Sequence, residues 1–202
     1  MRFVAVLALL LPLQEKKKDP ATTKEAMQKI QLLVGEWRCT GEPDDKKAKP
    51  WLEKDAWNFK IDKEDYALEL KITDGAHFKE GLLTYDLKAK VYRLVATPLE
   101  GDKKTYEGKL ADKELALERV PKDGEKDAKP ERLVFNLLRD NRFLLSLETR
   151  QGSSKEWSSV FVMGCTKEGV PFVKGSGAPV CIITGGTAAL TSDYKGKTYH
   201  FC

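Results

Sequence analysis

Along most of the chain, apolar and polar residues alternate one for one. Tyr66, Leu68, Leu70 and Ile72 interleave with Ala67, Glu69, Lys71 and Thr73, the pattern of a strand with one face on a core and one in water. Trp57, Phe59 and Ile61 alternate with Asn58 and Lys60. Phe143, Leu145 and Leu147 make a further face, and Trp157, Phe161 and Met163 another, with Ser159 as the polar break. The pattern predicts about ten strands, near 34–42, 52–61, 65–73, 77–86, 90–97, 103–109, 113–120, 131–138, 142–151 and 155–164. Turn chemistry separates them. Asp74-Gly75 is a hairpin signal, and Gly101-Asp102, Ala111-Asp112, Asp140-Asn141 and Gly152-Ser153 also fall at strand ends. Two longer charged loops, Asp44–Pro50 and Lys122–Pro130, end in proline.

Ahead of Leu33 the period is helical. Met27, Ile30 and Val34 share one face, and Thr22 is placed as N-cap with Glu25 three residues on, the capping-box spacing that satisfies two free donors. So short a helix is unstable alone and must lie against something. Many short strands joined by tight hairpins, with no helices between them, predict a mainly β fold in up-and-down order. Ten such strands would leave exposed edges unless the sheet closed. The expected architecture is therefore a closed antiparallel β-barrel with the N-terminal helix against one end.

At Gly35-Glu36-Trp37 the chain resembles the lipocalin and fatty-acid-binding barrels, in which a short helix leads into Gly-x-Trp on the first strand. Leu33-Val34-Gly35-Glu36-Trp37 also resembles the opening of nitrobindin-like barrels. Gly35 would let helix and strand pack closely, and Trp37 would plug the barrel end. The lipocalin resemblance implies an arginine over Trp37, for which Arg142 and Arg150 are the candidates. Nitrobindin-like proteins bind haem through a histidine. Here the histidines are His77, beside a hairpin turn, and His200, outside the barrel, so no haem is expected.

Composition narrows the classes. The chain has 202 residues, is 41% hydrophobic and carries a formal net charge of +4 with both signs interspersed. That suits one domain plus a small appendage, not a nucleic-acid surface, which clusters Lys and Arg on one face. Residues 1–14 read as a signal peptide: Arg2, then the apolar run Phe3–Leu11, too short to span a bilayer. The expected division is a leader at 1–14, a charged disordered linker at 15–21, a barrel at 22–165, a linker at 166–178 and a C-terminal motif at 179–202. The expected location is secreted or periplasmic, with no integral membrane segment once the leader is removed.

The C-terminal stretch holds the candidate chemistry. Cys181-Ile182-Ile183-Thr184-Gly185 is followed by Tyr194-Lys195-Gly196-Lys197-Thr198-Tyr199-His200-Phe201-Cys202, two short strands around a tight turn. This resembles the YHS and TRASH group of small metal-binding domains, which implies a site for a soft transition metal such as zinc or copper. Ile182 stands where that group has proline. Cys202 is the final residue, so the match is to the front part of the motif. Thiolates suit soft ions, and a closed zinc site takes four ligands. Cys181 and Cys202 supply two, His200 lies two residues before Cys202, and Cys165 precedes the linker and can reach back. The same pair could instead form a Cys181–Cys202 disulfide in an oxidising compartment. Four cysteines allow three pairings. Cys39 is expected to pack inside the barrel, opposite residues near the start of the last strand, which disfavours a Cys39–Cys165 bond.

No nucleophile elbow, zincin motif or phosphate loop is present, and no carboxylate pair stands out as a catalytic dyad. The leading expectation is an exported, non-enzymatic protein binding a soft metal through its C-terminal cysteines. The alternative is a lipocalin-like binder of a small apolar ligand, with Trp37, Trp51, Trp57 and Trp157 candidates to line its cavity. A third is a structural envelope protein with neither ligand.

Overall fold

Thr22 starts the fold. Its hydroxyl accepts from the Glu25 backbone N–H at 3.1 Å, and the Glu25 carboxylate reaches back to the Ala21 N–H at 2.8 Å, one residue earlier than in a standard capping box. A computed structural model of the chain describes residues 19–122, 124–125, 128–150 and 154–169, with the backbone of two strands at 190–194 and 197–201. The capped helix is α1 (Thr23–Lys29), followed by a 3-10 turn at Gln31–Leu33. Ten strands follow: β1 (Gly35–Pro43), β2 (Trp51–Asp62), β3 (Asp65–Thr73), β4 (Phe78–Asp86), β5 (Val91–Pro98), β6 (Lys104–Ala111), β7 (Glu114–Val120), β8 (Glu131–Arg139), β9 (Arg142–Thr149) and β10 (Ser158–Lys167).

Each strand pairs antiparallel with its sequence neighbour, and β1 pairs with β10, so the sheet closes into a barrel. Closure removes the exposed edges that an open ten-stranded sheet would carry. The inward residues of all ten strands form a single core. The helix turns Ala26, Met27, Ile30 and Leu33 into one end of that core, each fully buried. The Tyr92 hydroxyl donates to the Ala26 carbonyl at 2.8 Å, which ties the plug to the wall. Among the described residues no helix is long and apolar enough to cross a membrane.

Three expectations from alternation need correction. Phe59 and Ile61 share the parity of buried Trp57 but are 43% and 56% exposed. The last β1 partner of β2 is Trp57, opposite Gly35. Beyond it β2 pairs with β3 and overhangs the barrel. Trp157 precedes β10, and a register shift between Ser159 and Phe161 breaks the count. Its ring sits under the guanidiniums of Arg132 and Arg150, at 4.5 and 4.8 Å, and not in the interior. β10 also runs on to Lys167, so the first two residues expected in the linker 166–178 belong to the barrel.

The strands β11 (Leu190–Tyr194) and β12 (Lys197–Phe201) form a separate antiparallel hairpin in which Tyr194 pairs with Lys197. The pairing agrees with the two short strands that the sequence pattern predicts here, and the two residues between them lie outside the described residues.

Candidate functional site

The Gly-x-Trp motif closes the helix end. Gly35 has φ +131°, a conformation L side chains avoid, and a Cβ there would meet the Lys167 side chain at 2.6 Å. Trp37 is fully buried, donates from Nε1 to the Leu33 carbonyl at 2.7 Å and meets Phe143 edge to face with centroids 4.7 Å apart. The cation over its ring is Lys167, 5.4 Å from the centroid. Arg150 is spent on Trp157, and Arg142 faces Thr166 across the sheet.

Of the expected metal ligands, Cys181 and Cys202 lie outside the described residues. His200 is placed on β12 opposite Thr191. Cys165 is bonded to Cys39, with Cα atoms 4.1 Å apart, which reverses the expectation for that pair. The reason is register. Trp37 pairs with Lys167, so Cys39 falls directly opposite Cys165, close to the end of β10 and far from its start. Strand stagger in a closed barrel sets that offset, and residue counting does not supply it. Both sulfurs are buried, and a carboxylate oxygen of Asp55 lies within 4.8 Å of them. With the sulfurs bonded to each other, neither is a thiolate ligand.

From the level of Trp37 toward the opposite end, the mouth, the interior carries polar groups: on β2, Asp55 lies opposite Trp37, Glu53 opposite Cys39 and Trp51 opposite Gly41. Glu53 and Asp55 point inward from β2 and are 5% and 3% exposed. The Trp51 indole donates to Glu53 Oε2 at 2.7 Å, and the Ala76 backbone N–H donates to the same oxygen at 3.2 Å. Burial, the Glu53 charge and a hydrogen bond to Glu53 push the Asp55 pKa up to about 8. Burial raises Glu53 as well, against the hydrogen bonds it accepts. Asp55 Oδ1 and the Trp57 indole nitrogen have no hydrogen-bond partner among the described residues.

Aromatic rings cover this pair. His77 stacks on Phe161 at 4.5 Å, and Trp51 meets both edge on, at 5.0 Å from His77 and 5.3 Å from Phe161. Gly41 makes the seat for Trp51, since a Cβ there would sit 2.1 Å from the indole. Burial lowers the His77 pKa, which keeps the ring neutral. Beneath the cover is a cavity of about 20 Å³ bordered by Glu53, Asp55, Trp57 and the rings above, room for roughly one water. Of the four tryptophans named as candidates to line a cavity, Trp51 and Trp57 border this one and Trp37 and Trp157 do not.

Alternation was the signal for the buried acids. Counting back by twos from Trp57 gives Asp55, Glu53 and Trp51, all on one face. At the helix end a shallow cleft of about 470 Å³ opens between Lys90, Lys109 and Tyr85. Asp19 lines it and pairs with Lys90 at 3.0 Å.

No family model matches the chain, and no curated protein matches it. Among solved structures, the crystal structure of Rv2717c from M. tuberculosis aligns with a TM-score of 0.46 at 14% identity, over 71% of this chain and 97% of that one.

Proposed function

We propose that this is an exported, non-enzymatic protein in which the barrel is a rigid carrier and the C-terminal segment holds a soft transition metal. Cys181 and Cys202 act as thiolate ligands for zinc or copper(I), with His200 as the third donor. The observation that supports this best is the filled barrel. Its own side chains leave about 20 Å³, whereas pockets for drug-sized ligands run to about 300–1,000 Å³. A small apolar ligand therefore has no room in this conformation, and the chemistry falls to the thiol-bearing segment. The Cys39–Cys165 cystine agrees with an oxidising compartment. It also takes Cys165 out of the ligand set.

The test is metal content and competition titration on the full-length protein, purified anaerobically. We expect one equivalent of metal, and at least a tenfold loss of affinity in Cys181→Ser and in Cys202→Ser with barrel melting unchanged. Metal content that is the same in both variants as in the parent would sink the reading.

A further inference from the structure

The mouth cavity has an anionic lining with no counter-charge. Glu53 and Asp55 border it directly and Glu80 lies at its rim, while among the described residues no Lys or Arg lines it. His77 also borders it and is held neutral by burial. The cations nearest the mouth are turned to other partners: Lys104 pairs with Glu131 at 3.1 Å, and Glu131 also accepts from the Tyr106 hydroxyl. The uncharged cystine that joins β1 to β10 lies within 4.8 Å of the Asp55 carboxylate.

Two of the polar atoms bordering the cavity have no partner among the described residues: Asp55 Oδ1, an acceptor, and the Trp57 indole N–H, a donor. Leaving such a group unpaired costs about 1–3 kcal/mol, so native structures normally supply a partner. On Glu53, by contrast, Oε2 accepts from both the Trp51 indole and the Ala76 backbone N–H. A partner for Asp55 Oδ1 must be small and must donate a hydrogen bond, and it gains from positive charge; the Trp57 N–H needs an acceptor and plays no part in that contact. The walls that partner meets are Trp51, Trp57, His77 and Phe161, and aromatic faces attract cations. A calcium or magnesium ion would want six or more oxygen ligands, and two carboxyl groups do not provide them.

We propose that this cavity is a binding site for one ammonium ion. Its N–H groups donate to Asp55 Oδ1, and the aromatic walls surround the remaining charge. Binding leaves two carboxylates facing a cation, so the Asp55 proton leaves to solvent as the ammonium enters. This site is independent of the C-terminal thiols.

The experiment follows the Trp57 indole N–H resonance of the full-length protein while ammonium chloride replaces potassium chloride at constant ionic strength. Potassium has a similar size and no N–H donors. We expect a saturable shift with ammonium and none with potassium. The affinity should rise about tenfold per pH unit between pH 6 and 7.5, since below its titration point only the ionised fraction of Asp55 binds. A pH-stat should register proton release on ammonium addition. Asp55→Asn keeps a neutral side chain that can still donate to Glu53. It should fold and lose both the shift and the proton release. Equal shifts with potassium, no saturable shift with ammonium, or an unchanged shift in Asp55→Asn would each overturn the proposal.

Discussion

The two ends of the barrel are closed by opposite means. At the helix end, Met27, Ile30, Leu33 and Trp37 are fully buried, and the Trp37 indole and the Tyr92 hydroxyl both have backbone acceptors. Both of those donors are satisfied. From Asp55, opposite Trp37, toward the mouth, two carboxyl groups sit behind a ring cluster, and among the described residues Asp55 Oδ1 has no partner. One end is optimised for stability. The other gives stability up, and such sacrifices concentrate where a protein binds something.

The difference can be broken by substitution, with opposite signs expected at the two ends. Trp37→Ala removes the ring that joins the plug to Phe143 and should destabilise the barrel by about 3–5 kcal/mol, read as a loss of denaturant midpoint. Asp55→Asn should instead stabilise, by about 2–4 kcal/mol at pH 7. The sign follows from the titration. Folding raises Asp55 from an ordinary 3.8 to about 8, so the folded state holds a proton that the unfolded chain releases above pH 4. The contribution is fully present below pH 4 and is lost as pH rises toward 8. Wild-type stability should therefore fall across that window, while the Asn variant's slope should be shallower, with Glu53 supplying what remains. Equal slopes in urea melts at several pH values would remove the contrast between the ends. Thr22→Ala is the smallest test. It deletes the bond to the Glu25 N–H and should cost about 1 kcal/mol, felt at the plug and leaving the pH dependence unaltered.

Much of this was legible in the chain. Period-two alternation and turn residues locate all ten barrel strands to within a few positions, and Thr22 and Gly35 mark the helix start and the strand entry. Those features are local: each is decided by residues a few positions apart. What was not legible depends on how distant strands slide past one another. The stagger that brings Cys39 opposite Cys165, the overhang that exposes Phe59 and Ile61, and the arrival of Lys167 over Trp37 are all set by closure of the barrel. Asp55 and Glu53 are an intermediate case. Their parity was readable from Trp57, but carboxylates on strands are solvated so often that residue type outweighed position.

The Cys39–Cys165 bond has a mechanical consequence. The two residues are 126 apart in sequence, yet they lie side by side where the first and last barrel strands meet. Tension between the N-terminal and C-terminal flanking segments enters the barrel at Cys39 and leaves at Cys165 through one covalent link. The eight strands between them are outside the load path. A partner tugging on the C-terminal segment can strain the ends of β1 and β10, but it cannot peel the barrel open strand by strand.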